Sequence, residues 1–207
     1  LIASLYSNAQ VYQSVPIQSG FNHDVIANGV GNSISSTTSD VDGVDYAFLS
    51  KDFKPLATSP DLSYGLPIDG SFSSMVASTV GLPFQLASYS GNNALRLVLP
   101  ADSGLLNFST PISANRLFML ATSGSGTSVV DVTITFTDSS TQTISGISLS
   151  DWYNGTNYAI YGIGRVKRSS NALESGGGTN PRLYQVELGI DAANQSKQIQ
   201  SATITKV

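Results

Sequence analysis

The stretch from Asp151 to Arg182 holds the densest mixture of flat rings, amides and guanidinium groups in the chain. Trp152, Tyr153, Tyr158 and Tyr161 are set among Asn154, Gly155, Asn157 and Gly162, and Arg165, Lys167, Arg168, Asn171, Glu174 and Arg182 follow. Carbohydrate sites use this chemistry, with rings covering the apolar faces of sugars and a few planar polar groups bonding the hydroxyls. An arginine fork suits vicinal hydroxyls or a carboxylate better than a lysine point charge does. The residue types therefore nominate Trp152, Tyr153, Tyr158, Arg165 and Arg182 as ligand contacts. A single tryptophan after a sandwich strand is as often a core lid, so Trp152 carries both readings. On an extended backbone Trp152 and Tyr153 point to opposite faces, and one of the two is expected to meet ligand.

Asp40, Asp42 and Asp45 crowd three carboxylates around Gly43, the hard-oxygen clustering that calcium uses. The run is shorter than an EF-hand loop and lacks its distal glutamate, and an Asp-Gly turn opening a strand at Val44 is the simpler reading. Structural calcium at these aspartates is the one cofactor the sequence offers. Catalysis has less to build on. His23 is the only histidine, and Gly124-Ser125-Gly126 lacks the spacing of a nucleophile elbow. Glu174 and Glu187 are the only glutamates, and no aspartate stands opposite either in a recognisable glycosidase setting. The chain reads as non-enzymatic.

Charged residues make up 12% of the chain, about half the usual share of roughly 25%. With a net charge of −4 there is no basic stripe for nucleic acid, and no apolar run reaches the ~20 residues of a transmembrane segment. Cysteine is absent, which removes disulfides and thiolate chemistry. Leu1 to Gln10 has the apolar stretch and small-residue pattern of a secretory signal's tail, and equally the pattern of a first strand. Residues 1–17 are thus a signal remnant or an N-terminal strand, and residues 18–207, with no repeat or linker, form a single domain.

The frame that must position these groups is β-structure. Val130, Val132, Ile134 and Phe136 alternate with polar residues, Asp138-Ser139-Ser140 supplies a turn, and Thr141 to Leu149 completes a hairpin. Gly146 marks a bulge, because Ile144 and Ile147 fall on opposite phases of the alternation. Tyr184 to Ile190 and Ile199 to Val207 read as further strands. Leu117 to Ala121 is apolar in both phases and is expected in the middle of a covered sheet. Val44 to Leu49, Phe84-Leu86, Leu95 to Leu99 and Leu106-Phe108 supply shorter strands. The residues from Trp152 to Arg182 are expected to form loops outside the core, and Asp191 to Gln195 a single helical turn. The fold class is all-β: a two-sheet antiparallel β-sandwich of jelly-roll type, like a carbohydrate-binding module.

Five strings, in this order, carry a resemblance: Phe21 to Gly29, Asp42 to Phe48, Ser90 to Arg96, Asp151 to Gly155 and Asn180 to Gln185. Together the chain from about Gln18 resembles the N-terminal region of large secreted surface proteins of Bacteroidota that end in a type IX secretion sorting domain. The resemblance implies export to the cell surface or medium within a longer modular protein, and it assigns no site residues. The function expected is a secreted binding module for glycan or a cell-surface partner. The alternative is a structural subunit of an extracellular fibre or adhesive layer, assembling with its own copies.

Overall fold

Hydrophobic alternation builds the longest strands, and turn residues separate them. The computed structural model describes residues 11–207; the signal and first-strand readings of residues 1–10 lie outside that range. In chain order the strands are β1 (Ile17–Ser19), β2 (Ile26–Ala27), β3 (Tyr46–Leu49), β4 (Ser71–Ser73), β5 (Pro83–Gln85), β6 (Ser103–Ile112) and β7 (Arg116–Ala121). They continue as β8 (Ser128–Phe136), β9 (Thr141–Leu149), β10 (Tyr158–Tyr161), β11 (Arg165–Lys167), β12 (Ala172–Glu174), β13 (Arg182–Gly189) and β14 (Ile199–Lys206). Helical structure among the described residues is limited to three-residue 3-10 turns, and no helix is long and apolar enough to cross a membrane.

A five-stranded antiparallel sheet, β1-β6-β14-β8-β9, packs on a three-stranded one, β10-β13-β7. Val130, Val132, Ile134 and Phe136 from β8 meet Leu117 and Leu188 of the smaller sheet, and this interface is the main core. The alternation predicted across β8 is therefore realised. The smaller sheet is also covered on its other face. Leu120 and Leu183 join Ile26, Phe48, Leu66, Trp152 and Ile163 in a second core, formed with the sheet β12-β11-β3-β2. Ala27, Ala47, Leu49, Phe53 and Val166 form a third cluster beyond that sheet, closed by Leu62 and Tyr64. The two-sheet sandwich thus carries a third layer, because β3 is apolar in both phases and needs cover on both faces.

The hairpin carries the bulge expected at Gly146. Val132 pairs with Ile144 and Val130 with Ile147, so β9 has one residue more than β8 across that interval. Gly146 has φ +72°, and its N–H donates to Asp131 Oδ1 at 2.8 Å. The extra residue turns Ile144 and Ile147 to the same core.

Several expectations need correction. Leu117 to Ala121 is covered on both faces but is an edge strand, since double cover comes from neighbouring layers and not from two flanking strands. Val44 is 62% exposed and precedes β3. Leu95 and Leu97 pack on the main core without forming a strand, while Leu99 is exposed; the Asp102 carboxylate accepts from the Val98 and Leu99 amides and turns the chain there. Asp191 to Gln195 forms turns and not a helix. The segment from Trp152 to Arg182 contains β10, β11 and β12, and Trp152, Ile163, Val166 and Pro181 are buried in it. Its apolar residues are spaced by Gly162 and Gly164, both at positive φ, which breaks the periodicity that would reveal strands.

Ile134 is fully buried, so Ile134→Ala should cost about 2–5 kcal/mol in urea unfolding. Thr141→Ala, on the exposed side of β9, should stay within about 0.5 kcal/mol. Equal costs at the two positions would contradict the placement of the core.

Candidate functional site

Strand register assembles the first cluster. Arg165 on β11 stands opposite Glu174 on β12 and opposite Phe48 on β3, with Tyr46 two residues along. Its Nε and Nη2 donate to Glu174 Oε2 at 2.9 and 2.8 Å, and its Nη1 lies 3.7 Å from Asp42 Oδ2. The Tyr46 hydroxyl donates to the other Glu174 oxygen at 2.6 Å. Three rings surround the cation, with its Cζ 3.7 Å from the Tyr46 centroid, 5.0 Å from Tyr153 and 5.5 Å from Trp152. The Tyr46 hydroxyl, and after it the Arg165 guanidinium, hold Glu174 below the usual carboxylate range, while the bond to Glu174 pushes Tyr46 up. All these groups are spent on one another.

Trp152 is 2% exposed and lies edge-on to Phe48 at 5.4 Å, so no face of its ring is open for a sugar. This corrects Trp152 from ligand contact to core lid. Tyr153 does not point away from it: the two centroids are 5.9 Å apart, because Asp151 Oδ1 accepts from the Tyr153 amide and bends the chain into a turn. Trp152, Tyr153 and Arg165 therefore form one structural group.

Tyr158 and Arg182 belong to a different surface. In a regular strand Tyr158 and Tyr161 would face opposite ways. The register between β10 and β13 shifts after Tyr158, and this irregularity brings the two rings together at 5.0 Å between centroids. Tyr161 pairs directly with Arg182, whose Cζ sits 5.0 Å from the Tyr158 centroid. Arg182 is fixed by donating from Nε to Thr179 O at 3.0 Å and from Nη1 to Gly155 O at 2.6 Å.

The loop beside these rings is clamped from below. The Tyr184 hydroxyl donates to Asp151 O at 2.6 Å and accepts from the Gly155 amide at 2.9 Å; burial pushes its ionisation up, so it stays a donor. Asn180 Oδ1 accepts from the Asn154 amide, and Trp152 O accepts from the Arg182 amide. Asn154, Thr156, Asn157 and Tyr161 are exposed around this frame. The result is a surface of two rings tilted 56° to each other, an immobilised guanidinium against one of them, and the exposed Asn154 and Asn157 on the adjoining loop. The five residues nominated by the sequence divide accordingly, and the exposed Tyr161 joins the half-buried Tyr158 and Arg182 through a bulge that leaves no sequence signal.

Asp40, Asp42 and Asp45 are adjacent in sequence but have separate partners. Asp40 pairs with Arg96 at 2.7 Å, Asp42 accepts from the Val44 and Tyr46 amides, and Asp45 accepts from the Ser169 amide. Among the described residues no group of three metal-ligating side chains converges, so the structure does not bring these aspartates together as a calcium site. A cavity of about 840 Å³ borders β7 between Tyr12, Phe84, Phe108 and Phe118. Its walls are largely apolar, and it holds none of the nominated residues.

Because Glu174 ionises below its ordinary value of about 4.3, wild type should exceed Glu174→Gln in stability at neutral pH. That advantage is fully present above about pH 4.3 and fades as the pH falls through the depressed value in the folded state. Urea unfolding at several pH values checks this, and a pH-independent difference would contradict it. Adding calcium to chelated protein should leave the melting temperature unchanged, whereas a rise that grows with concentration would restore the calcium reading.

Compared with protein-family models, with curated proteins and with solved structures, the chain matches none.

Proposed function

We propose that this chain is a secreted, non-catalytic carbohydrate-binding module, adhesive at the cell surface, whose ligand is a glycan docking on Tyr158, Tyr161 and Arg182. The same-face tyrosine pair beside a fixed arginine carries the reading. The rings offer apolar faces to a sugar, and the neighbouring Asn154 and Asn157 offer planar amides for its hydroxyls. A binding role in place of hydrolysis is supported by the engagement of Asp42 and Glu174 with Arg165 and Tyr46. A jelly-roll classification is supported by β14 pairing with both β6 and β8 while β7 and β13 pair in the facing sheet. Export within a larger protein of the type IX secretion class remains part of the proposal. Its support is the ordered set of resembling strings and a surface poor in charge.

One observation favours the second reading, a subunit of an extracellular fibre or adhesive layer. β9 is an edge strand of nine residues without a charge or a proline, and on either side of its bulge at Gly146 such an edge is a template for pairing with another copy. Sedimentation of the unliganded protein separates the readings: a monomer fits the module, and concentration-dependent growth fits the subunit.

Tyr161→Ala and Tyr158→Ala should each weaken glycan binding by about 10-fold, the scale of one lost ring stack. Thermal melts of both should stay close to wild type, because neither ring lies in the buried cores. Full affinity in both folded variants would remove the site from this surface.

A further inference from the structure

We infer that the glycan carries a carboxylate, so that the module selects uronic-acid-containing saccharides; the inference rests on the docking surface proposed above. Arg182 is a fixed cation without a counter-ion. Its hydrogen bonds go to the neutral carbonyls of Thr179 and Gly155, and Nη2 has no acceptor among the described residues. Arg96, Arg116, Arg165, Lys54 and Lys197 each have a carboxylate within ion-pair distance; Lys51, Lys167, Arg168, Lys206 and Arg182 have none among the described residues, and of these Arg182 is the one set against Tyr158 and paired across the strands with Tyr161. Asp151, at the start of the loop that holds Gly155, directs its two carboxylate oxygens at the Tyr153 and Gly126 amides.

Neutral acceptors immobilise a guanidinium while leaving its charge in place. A carboxylate that reaches it therefore gains a charge-assisted bond to a donor whose ordering cost is already met. Tyr161 and Arg182 are direct cross-strand partners, so their side chains leave the same face of the sheet about 5 Å apart at Cβ. A pyranose packed on the exposed Tyr161 ring, the direct cross-strand partner of Arg182, then holds a carboxylate attached to its ring within reach of Nη2. The planar two-oxygen group matches the fork, whereas a hydroxyl in the same place leaves the charge unmatched. With a chain net charge of −4, no long-range field draws acidic polymers in. The preference is local and should survive at physiological salt, where the screening length is about 8 Å.

The test titrates the full chain with a panel of oligouronates (galacturonate, glucuronate and mannuronate tetramers), their carboxyl-reduced neutral counterparts, and sulfated neutral tetramers. At least one oligouronate should bind wild type about 10-fold or more tightly than its reduced partner at 0.15 M salt. Arg182→Gln should lower it to the level of the neutral tetramer, and Arg182→Lys should recover only part of the difference because it lacks the fork; melting curves confirm that each variant is folded. Equal affinity for an oligouronate and its reduced partner overturns the carboxylate preference while the glycan reading stands. A preference for the sulfated tetramers alone does the same. Failure of wild type to bind any saccharide in the panel overturns the carboxylate preference, and failure on a broad neutral glycan array as well overturns the glycan reading with it.

Discussion

One guanidinium, that of Arg165, joins stretches of chain that are far apart in sequence. It lies on β11 and is paired with Glu174 on β12, stacked on Tyr46 of β3, and near Asp42 and the rings of Trp152 and Tyr153. The Asp42 side chain is 2% exposed, and a carboxylate that far from water is costly unless a cation and hydrogen bonds answer it. Arg165 supplies the charge and the Val44 and Tyr46 amides supply the bonds. The third layer is fastened to the sandwich at this point. Trp152, held in the same group, accepts the Arg182 amide through its carbonyl and so fixes the base of the tyrosine platform.

Two irregularities in strand pairing decide which side chains face where. The bulge at Gly146 brings Ile144 and Ile147 to one core, and the register shift in β10 brings Tyr158 and Tyr161 to one surface. The same device packs a core in one place and gathers two rings in the other. No buried side-chain nitrogen or oxygen among the described residues lacks a partner. The interior is thus closed chemically, and the polar groups left open lie at the surface.

Much of the sandwich was legible because β8 and β13 alternate in sequence, and such alternation marks a strand. Gly146 was legible as well, since a phase slip at a glycine is what a bulge leaves in sequence. The third layer was not. β3 lies inside the strand read at Val44 to Leu49, but β11 and β12 are three residues each and their neighbours are bent by glycines at positive φ, so neither shows a period long enough to read. The residue types of the candidate site were visible between Trp152 and Arg182, but their division into two groups depends on register. Arg165 finds Glu174 and Tyr46 through cross-strand pairing, and no spacing along the chain encodes that. The aspartates at 40, 42 and 45 show the converse: they are close in sequence, yet their carboxylates have separate partners.

The most direct test of the account is to map the binding surface residue by residue, by following backbone amide shifts of the labelled chain as an oligouronate is added. Perturbed amides should cluster between Asn154 and Tyr161 and between Thr179 and Arg182, with the main core silent. Perturbations centred on β9, or on the cavity beside β7, with those two segments unmoved, would contradict it.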